Sequence, residues 1–348
     1  MGKTERSKRQ KRDIGVLIIV LLIVASIVVS VVRAFQASRF HPEETTYIYI
    51  EKETEFEEFV NFLKDSVAAN EVGLFAAMAM ALDYPENMKT GRYAVTPGMS
   101  SWELVNILRK GQQTPTRITF NNVRFLDDLA RRLDEQLMLT ADDILTRLSD
   151  PAYCDSLGFT TETIRAMFIP NTYEIYWNIS PDRLIERMKK EYDTFWNENR
   201  RAKAKAIGLS PVEVAVLASI VEEETAVAEE FPIVAGLYIN RLHRGMLLQA
   251  DPTVKYAVGD FALQRILYAH LEIDSPYNTY IYAGLPPGPL RIPSIQGLNA
   301  VLNYTKHNYL YMVAKEDFSG RHNFATTLTE HNRNANRYRT ELNRRNIR

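Results

Sequence analysis

The 348-residue chain holds a single cysteine, Cys154, so it can form no internal disulfide and no cysteine-rich metal site. Its six histidines are scattered, without HExxH or any comparable close pair, which argues against a dedicated zinc centre; no metal or cofactor is expected. Neither sign of charge is in excess: the formal net charge of -1 gives no hint of a nucleic-acid partner. Internal repeats are absent, and beyond the basic N-terminal tail so is low complexity. Apolar residues at 46% and charged residues at 24% are ordinary for a globular protein, and the length allows two domains with cores of their own. Aromatic residues are plentiful, with 18 tyrosines, and they gather in the loops considered below.

One segment departs from a soluble composition. Residues 14–32, "IGVLIIVLLIVASIVVSVV", carry no charge and are about long enough to cross a ~30 Å hydrocarbon layer. Lys3, Arg6, Lys8, Arg9, Lys11 and Arg12 precede them. Positive charge is retained on the cytoplasmic side, so residues 1–13 read as a cytoplasmic tail and everything after Arg33 as extracytoplasmic. A cleaved signal peptide is the rival reading. The apolar run exceeds a usual signal core, and "VVRAFQASRF" is a poor cleavage site, so an uncleaved single-pass anchor in the plasma (inner) membrane is expected.

Beyond the anchor the pattern is α+β. In "TTYIYIEKET", Tyr47 and Tyr49 alternate with Ile48 and Ile50 as in a strand. Residues 55–69 place Phe56, Phe59, Val60 and Leu63 on one helical face. "GRYAVTPGMSSWELVNILRKGQQTPTRITF" reads strand, turn, helix, strand, with Ser100 and Glu103 as a capping box and Gly111 as the stop. Residues 45–120 thus form a small β/α module, and residues 121–348 a larger mixed α+β domain. Leu126, Leu129, Leu133 and Leu137 share a helical spacing, Thr140 and Asp143 cap a further helix, and Ser180-Pro181 begins another. Pro170 and Asn171 break the helical pattern in "FIPNTYEIYW". The arginines of "RNANRYRTELNRRNIR" read as a solvated helix face.

The most informative stretch is "LASIVEEETAVAEEF", in which an aliphatic run ends in Glu222, Glu223 and Glu224. Ser210-Pro211-Val212-Glu213 starts this helix with a cap, a proline in the first turn and a glutamate three residues on. The three acids point about 100° apart, so they cannot all be buried or all be exposed. Either the helix surfaces at Glu222, or an acid of the triplet does chemistry in a cleft. The second reading draws support from electrostatics, because burial and the negative end of the helix dipole both favour a protonated carboxyl near neutral pH, as a general acid requires. Downstream, "LLQADPTV" reads as an extended segment broken at Asp251-Pro252. "SPYNTY" and "GLPPGPLRIPS" are rigid, aromatic and amide-bearing loops of the kind that line a cleft for a polar, ring-containing ligand.

"LASIVEEET", "GLYINRLHRGMLLQADPTVKYA", "YNTY", "GLPPGPLRIPS" and "HNFATTLTEHN", in that order, resemble the endolytic murein transglycosylases, the MltG or YceG-like family. "GRYAVTPGMSSWELVNILRKG" is similar to that family's LysM-like module. The family's anchored, extracytoplasmic layout agrees with the topology read above. The resemblance implies cleavage of the MurNAc-β-1,4-GlcNAc bond of peptidoglycan without water, leaving a 1,6-anhydro end and terminating nascent strands near the membrane. By this resemblance Glu222, the first acid of an "SIVExET" pattern, is the catalytic acid/base and Glu224 its support. Glu223 falls at a variable position and is expected to matter little. Gln249, Asp251, Tyr277, Asn278 and Tyr280 are candidates to bind sugar or orient the acid. Asn171 stands where the family usually has an aspartate, which puts any role of that aspartate in doubt here.

The implied partners are peptidoglycan glycan strands and, at the membrane, cell-wall synthases. Two other classes compete with this reading. A lysozyme-like muramidase would pair Glu222 with Glu224 or Asp251, since hydrolysis needs two carboxyls at a set separation. A non-catalytic wall-binding scaffold would need none. A small-molecule lyase is poorly served by a membrane anchor.

Overall fold

The computed structural model describes residues 2–67, 72–263 and 265–345, with side chains from residue 14 onward except 34–37. The basic side chains that precede the apolar run, the end of the expected 55–69 helix at Ala68 and Ala69, and the last three residues of the basic C-terminus lie outside the described positions. The chain divides into two units: Met1–Thr116 with Glu174–Asn178, and Arg117–Tyr173 with Ile179–Arg348.

In the first unit, α1 (Gly2–Ala37) contains the apolar run. Its Ile14–Arg33 portion has a mean hydropathy of 3.3, none of it is buried against protein, and it is long enough to cross a membrane. β1 (Thr46–Ile50), α2 (Phe56–Ser66), α3 (Val72–Ala81), β2 (Gly91–Val95) and α4 (Ser101–Lys110) follow. β1 pairs antiparallel with β2, with Ile48 opposite Tyr93. The alternation in β1 has the expected consequence: Ile48 and Ile50 are buried while Tyr47 and Tyr49 face out. Phe59, Leu63, Phe75, Tyr93, Leu104 and Leu108 make the core. α4 starts at the Ser100–Glu103 capping box and stops at Gly111, whose φ of 66° is one that a side chain would resist. Residues 174–178 return to this unit. The Trp177 ring meets Tyr49 edge-on at 5.0 Å, and the Asn178 amide donates to the carbonyl and hydroxyl of Thr90.

The second unit is mixed α+β. It runs β3 (Thr116–Phe120, from Arg117 onward), α5 (Leu126–Asp134), α6 (Ala141–Leu148), α7 (Pro151–Ser156), β4 (Asn171–Ile175, as far as Tyr173), α8 (Pro181–Phe195) and α9 (Glu198–Ile207). It continues through α10 (Pro211–Glu224), α11 (Phe231–His243), α12 (Asp251–Val258), α13 (Tyr268–Leu271), α14 (Ile295–Leu302), β5 (Tyr311–Ala314), β6 (His322–Ala325) and α15 (Leu328–Arg344). β3 lies beside β4, and β5 pairs antiparallel with β6.

α10 is the central helix. The Ser210 hydroxyl accepts the Glu213 N–H, and the Glu213 carboxylate accepts the Ser210 N–H, so two of the free donors at the helix start are satisfied reciprocally. Every residue from Val214 to Val221 is buried, against α9, α11, α12 and α14. Each Val, Leu or Ile in that run contributes roughly 1.5–3 kcal/mol by leaving water. The one hydroxyl among them, Ser219, is satisfied twice: it donates to the Val216 carbonyl and accepts the Leu290 N–H at 2.9 Å. That bond pins the 284–294 loop to the central helix. Gly288 of this loop packs so closely that a Cβ there would lie 2.1 Å from the Glu162 carbonyl oxygen. Asp251-Pro252 does more than break an extended segment: it opens α12, where proline in the first turn gives up an N–H that has no helical partner.

Candidate active site

The three glutamates at the end of α10 have three different environments. Glu222 turns toward the start of α14. Its Oε1 accepts the Ser294 N–H at 3.0 Å and the Ser294 hydroxyl, while Oε2 is buried with no hydrogen-bond partner. The approach is possible because residue 297 is glycine: a Cβ there would lie 2.4 Å from Oε1. Burial raises the Glu222 pKa, and the two Ser294 bonds and the Arg291 charge pull against it.

Glu223 points away from both neighbours and joins two arginines. Arg124 donates to both of its carboxylate oxygens at 2.7 Å, and Arg291 donates to Oε1 at 2.8 Å. Arg291 also reaches the Asn122 carbonyl, and Arg124 lies over the Phe261 ring at 4.2 Å. The expectation that this position matters little counted its direction and not these partners.

Glu224 lines two cavities, of about 1090 and 420 Å³, a size range suited to a small sugar segment. The Tyr238 hydroxyl of α11 donates to its Oε1 at 2.5 Å. Protein surrounds the carboxyl closely, and its pKa is pushed up to about 7, chiefly by burial; the Tyr238 bond opposes this, the Asp251 charge adds to it, and the Arg241 and Lys255 charges oppose it. The backbone exit just after Glu224 is fixed by its own network. The Thr225 hydroxyl donates to Glu230, whose carboxylate also takes the backbone N–H and ring Nδ1 of His322 in β6.

The other candidates divide in the same way. Asp251 borders both cavities beside Glu224, and the Tyr280 hydroxyl donates to it at 2.6 Å. Gln249 lines the smaller cavity and holds a left-handed φ of 48°, a strained conformation for a non-glycine residue of the kind that gathers at functional sites. Its N–H donates to the Thr279 carbonyl at 3.0 Å. Asn278, by contrast, is fully buried and folds its own loop: the amide donates to the Leu271 and Ile273 carbonyls and Oδ1 accepts the Tyr280 N–H. Tyr277 packs on the Tyr256 ring at 4.5 Å. The structure thus brings Gln249, Asp251 and Tyr280 to Glu224 and none of the five to Glu222.

Sequence reasoning missed Tyr238 and Arg241. Arg241 is buried in α11 and donates to the Leu310 carbonyl at 2.6 Å and the Leu248 carbonyl at 2.7 Å, holding the segment that leads to Gln249. A lone arginine inside the apolar "GLYINRL" was the available signal, because a buried cation needs several acceptors.

With this geometry in hand, the comparisons with known proteins are consistent with one another. Residues 48–337 match the YceG-like family, and the chain belongs to that family. It is 29% identical over 271 residues to an endolytic murein transglycosylase of Bacillus subtilis strain 168, covering 73% of this chain and 74% of that protein. The same identity extends over 291 residues to an endolytic murein transglycosylase of Streptococcus pneumoniae serotype 2 strain D39, covering 75% of this chain and 52% of that protein. A crystal structure of a YceG-like protein from Listeria monocytogenes superimposes with a TM-score of 0.55 at 28% identity, covering 84% of this chain and 99% of that one.

Proposed function

We propose that the protein is an endolytic peptidoglycan lytic transglycosylase and that Glu224, with Tyr238 as its partner, is the acid/base. The observation that carries the assignment is the position of this carboxyl: it lies at the border of two cavities with its pKa raised to about 7, and Asp251, Gln249 and Tyr280 are around it. This departs from the expectation that Glu222 does the chemistry. Glu222 already spends one oxygen on Ser294 and lines neither cavity.

In the proposed reaction the Glu224 acid protonates the glycosidic oxygen as the C1–O bond breaks. The resulting carboxylate takes the proton of the sugar's own C6 hydroxyl as that oxygen closes on C1. Water takes no part, and the enzyme ends in its starting protonation state. A carboxyl with a pKa near neutrality serves both halves, since it is a competent acid and its conjugate base still accepts a proton. In the rival muramidase reading Asp251, which accepts from the Tyr280 hydroxyl, would be the second carboxylate. Digestion of purified glycan strands followed by product masses is the test. New ends lighter by one water than reducing ends are expected; reducing ends would establish the hydrolase instead.

Tyr238 supplies a second check. Its hydroxyl stabilises the charged form of Glu224, so Tyr238→Phe raises the Glu224 pKa further. The wild-type rate should fall as pH rises through about 7, where the acid form is lost, and in the variant that fall should move to higher pH. Initial rates across pH measure it, and a fall that stays in place or moves down would contradict the pairing.

The finer parts of the reading belong to the first unit and the anchor. A LysM-like role in holding glycan is supported by the outward Tyr47 and Tyr49, with Trp177 against the latter. The apolar Ile14–Arg33 segment would keep the catalytic unit outside the cytoplasm and close to membrane-bound synthases.

A further inference from the structure

The larger cavity beside Glu224 has a charge pattern that the reaction chemistry does not use. Lys255 of α12, Arg265 and Arg339 of α15 all line it. Most arginines near this region are neutralised: Arg124 and Arg291 by Glu223, Arg337 by Glu316, Arg344 and Arg345 by Glu341. Among the described residues Lys255, Arg265 and Arg339 enter no such pair, and Arg339 donates only to the neutral Asn336 side chain and the Ala335 carbonyl. Lys255 lies one helical turn after Asp251, a spacing that permits an ion pair, yet Asp251 is taken by the Tyr280 hydroxyl.

The acids that face these cations are few and occupied. Glu223 lies between two guanidinium groups, Asp251 accepts from Tyr280, and Glu224, its pKa raised to about 7, is only partly ionised near neutral pH. Three cations therefore converge on a cavity of about 1090 Å³ with only Asp251 and a partly ionised Glu224 to set against them, which leaves positive charge in excess. Pro252, Ile266, Tyr338 and Leu342 add apolar surface to the same wall. Such a wall suits an anionic group attached to a small apolar body, because guanidinium and ammonium groups make their strongest hydrogen bonds to carboxylates.

We propose that this cavity is an anion-binding subsite in which Lys255, Arg265 and Arg339 hold a carboxylate borne by the substrate strand next to the bond that is cut. This rests on the reading of the substrate given above and names the feature of it that is recognised. The carboxylate has two sources, the lactyl ether of the muramyl sugar or the peptide attached to it. The subsite positions the sugar ring for Glu224 and does no chemistry itself.

The test compares the full-length wild type with Lys255→Ala/Arg265→Ala/Arg339→Ala on three strand preparations: peptide-bearing, peptide-free with free lactyl carboxylates, and carboxylates capped as neutral methylamides. In the triple variant KM should rise about tenfold on charged strands, the size of one lost charge-assisted contact or more. Measured well below pH 7, where Glu224 stays protonated with or without the Lys255 charge, kcat should change little, and KM on capped strands should match wild type. A rise on peptide-free strands equal to that on peptide-bearing ones assigns the lactyl carboxylate; a rise confined to peptide-bearing strands assigns the peptide. An equal rise on capped strands, or no rise on charged ones, overturns the subsite. Equilibrium binding of the same strands is measured in parallel, with Arg339→Gln as a milder variant. Wild-type protein that cuts no strand refutes the proposed function, while charge-dependent binding lost in the variants would still uphold the subsite.

Discussion

Glu224→Gln is expected to lower strand cutting by at least ~10²-fold, the low end of what a positioned acid/base contributes, and further if one group serves both halves of the reaction. The fold should survive, since glutamine is nearly isosteric and its amide oxygen can still accept from Tyr238. The variant also carries a stability signature whose sign is set by linkage. Burial raises the folded-state pKa of Glu224 from 4.5 to about 7, so the folded protein keeps a proton that the unfolded chain releases in between. Stability from this group is full below about 4.5 and is lost as pH rises through about 7. Glutamine has no such loss. The melting temperature of Glu224→Gln relative to wild type should therefore be higher at pH 8 than at pH 5. Glu222→Gln should keep its Ser294 contacts and most of its activity. If instead Glu222→Gln is dead and Glu224→Gln cuts at the wild-type rate, the roles revert to those expected from the sequence.

The second large effect is structural. Glu223→Ala removes the carboxylate shared by Arg124 and Arg291, both half-buried, and leaves two guanidinium groups short of an acceptor. Hydrogen bonds to charged groups contribute about 1.5–3 kcal/mol each, and solvent screening at these partly exposed positions reduces that, so a net loss of about 1–3 kcal/mol is expected. Arg124 keeps its contact with Phe261 and Arg291 its bond to Asn122, which argues for the lower half of that range. Thermal or denaturant unfolding reads it directly. A Glu223→Ala protein with wild-type stability would mean that the two-arginine junction contributes nothing, and that the 284–294 loop is held by packing and its remaining bonds, Leu290 to Ser219, Ser294 to Glu222 and Arg291 to Asn122.

Local chemistry was legible along the chain. The capping boxes at Ser100, Thr140 and Ser210 start helices as expected, because side chain and backbone donor lie three residues apart and no distant partner is needed. The period-two alternation of Tyr47 to Ile50 decided which face of β1 is buried. The uncharged run ahead of Arg33 was enough to expect a span-length apolar helix. The quoted motifs also identified the family, and they did so as an ordered set. The return of residues 174–178 to the first unit could not be read, because it depends on Trp177 and Asn178 meeting Tyr49 and Thr90 far back in the sequence.

What the sequence by itself determined was that three glutamates end a helix buried on nearly every side, in a chain of this family. Which of them faces the cleft was decided by tertiary structure. The helix sets consecutive side chains about 100° apart, so Glu222 and Glu224 point roughly 200° apart around its axis whatever surrounds it. α10 is apolar over too much of its circumference for its own pattern to say which direction holds a cavity and which a neighbouring helix. α14, with Ser294 as its cap and Gly297 leaving room, fills the side of Glu222. α11 and the start of α12 bring Tyr238 and Asp251 to the side of Glu224 and leave open space beside it. The burial that shifts each carboxyl's proton affinity belongs to those packed partners, and a pKa set by desolvation exists only once they are in place.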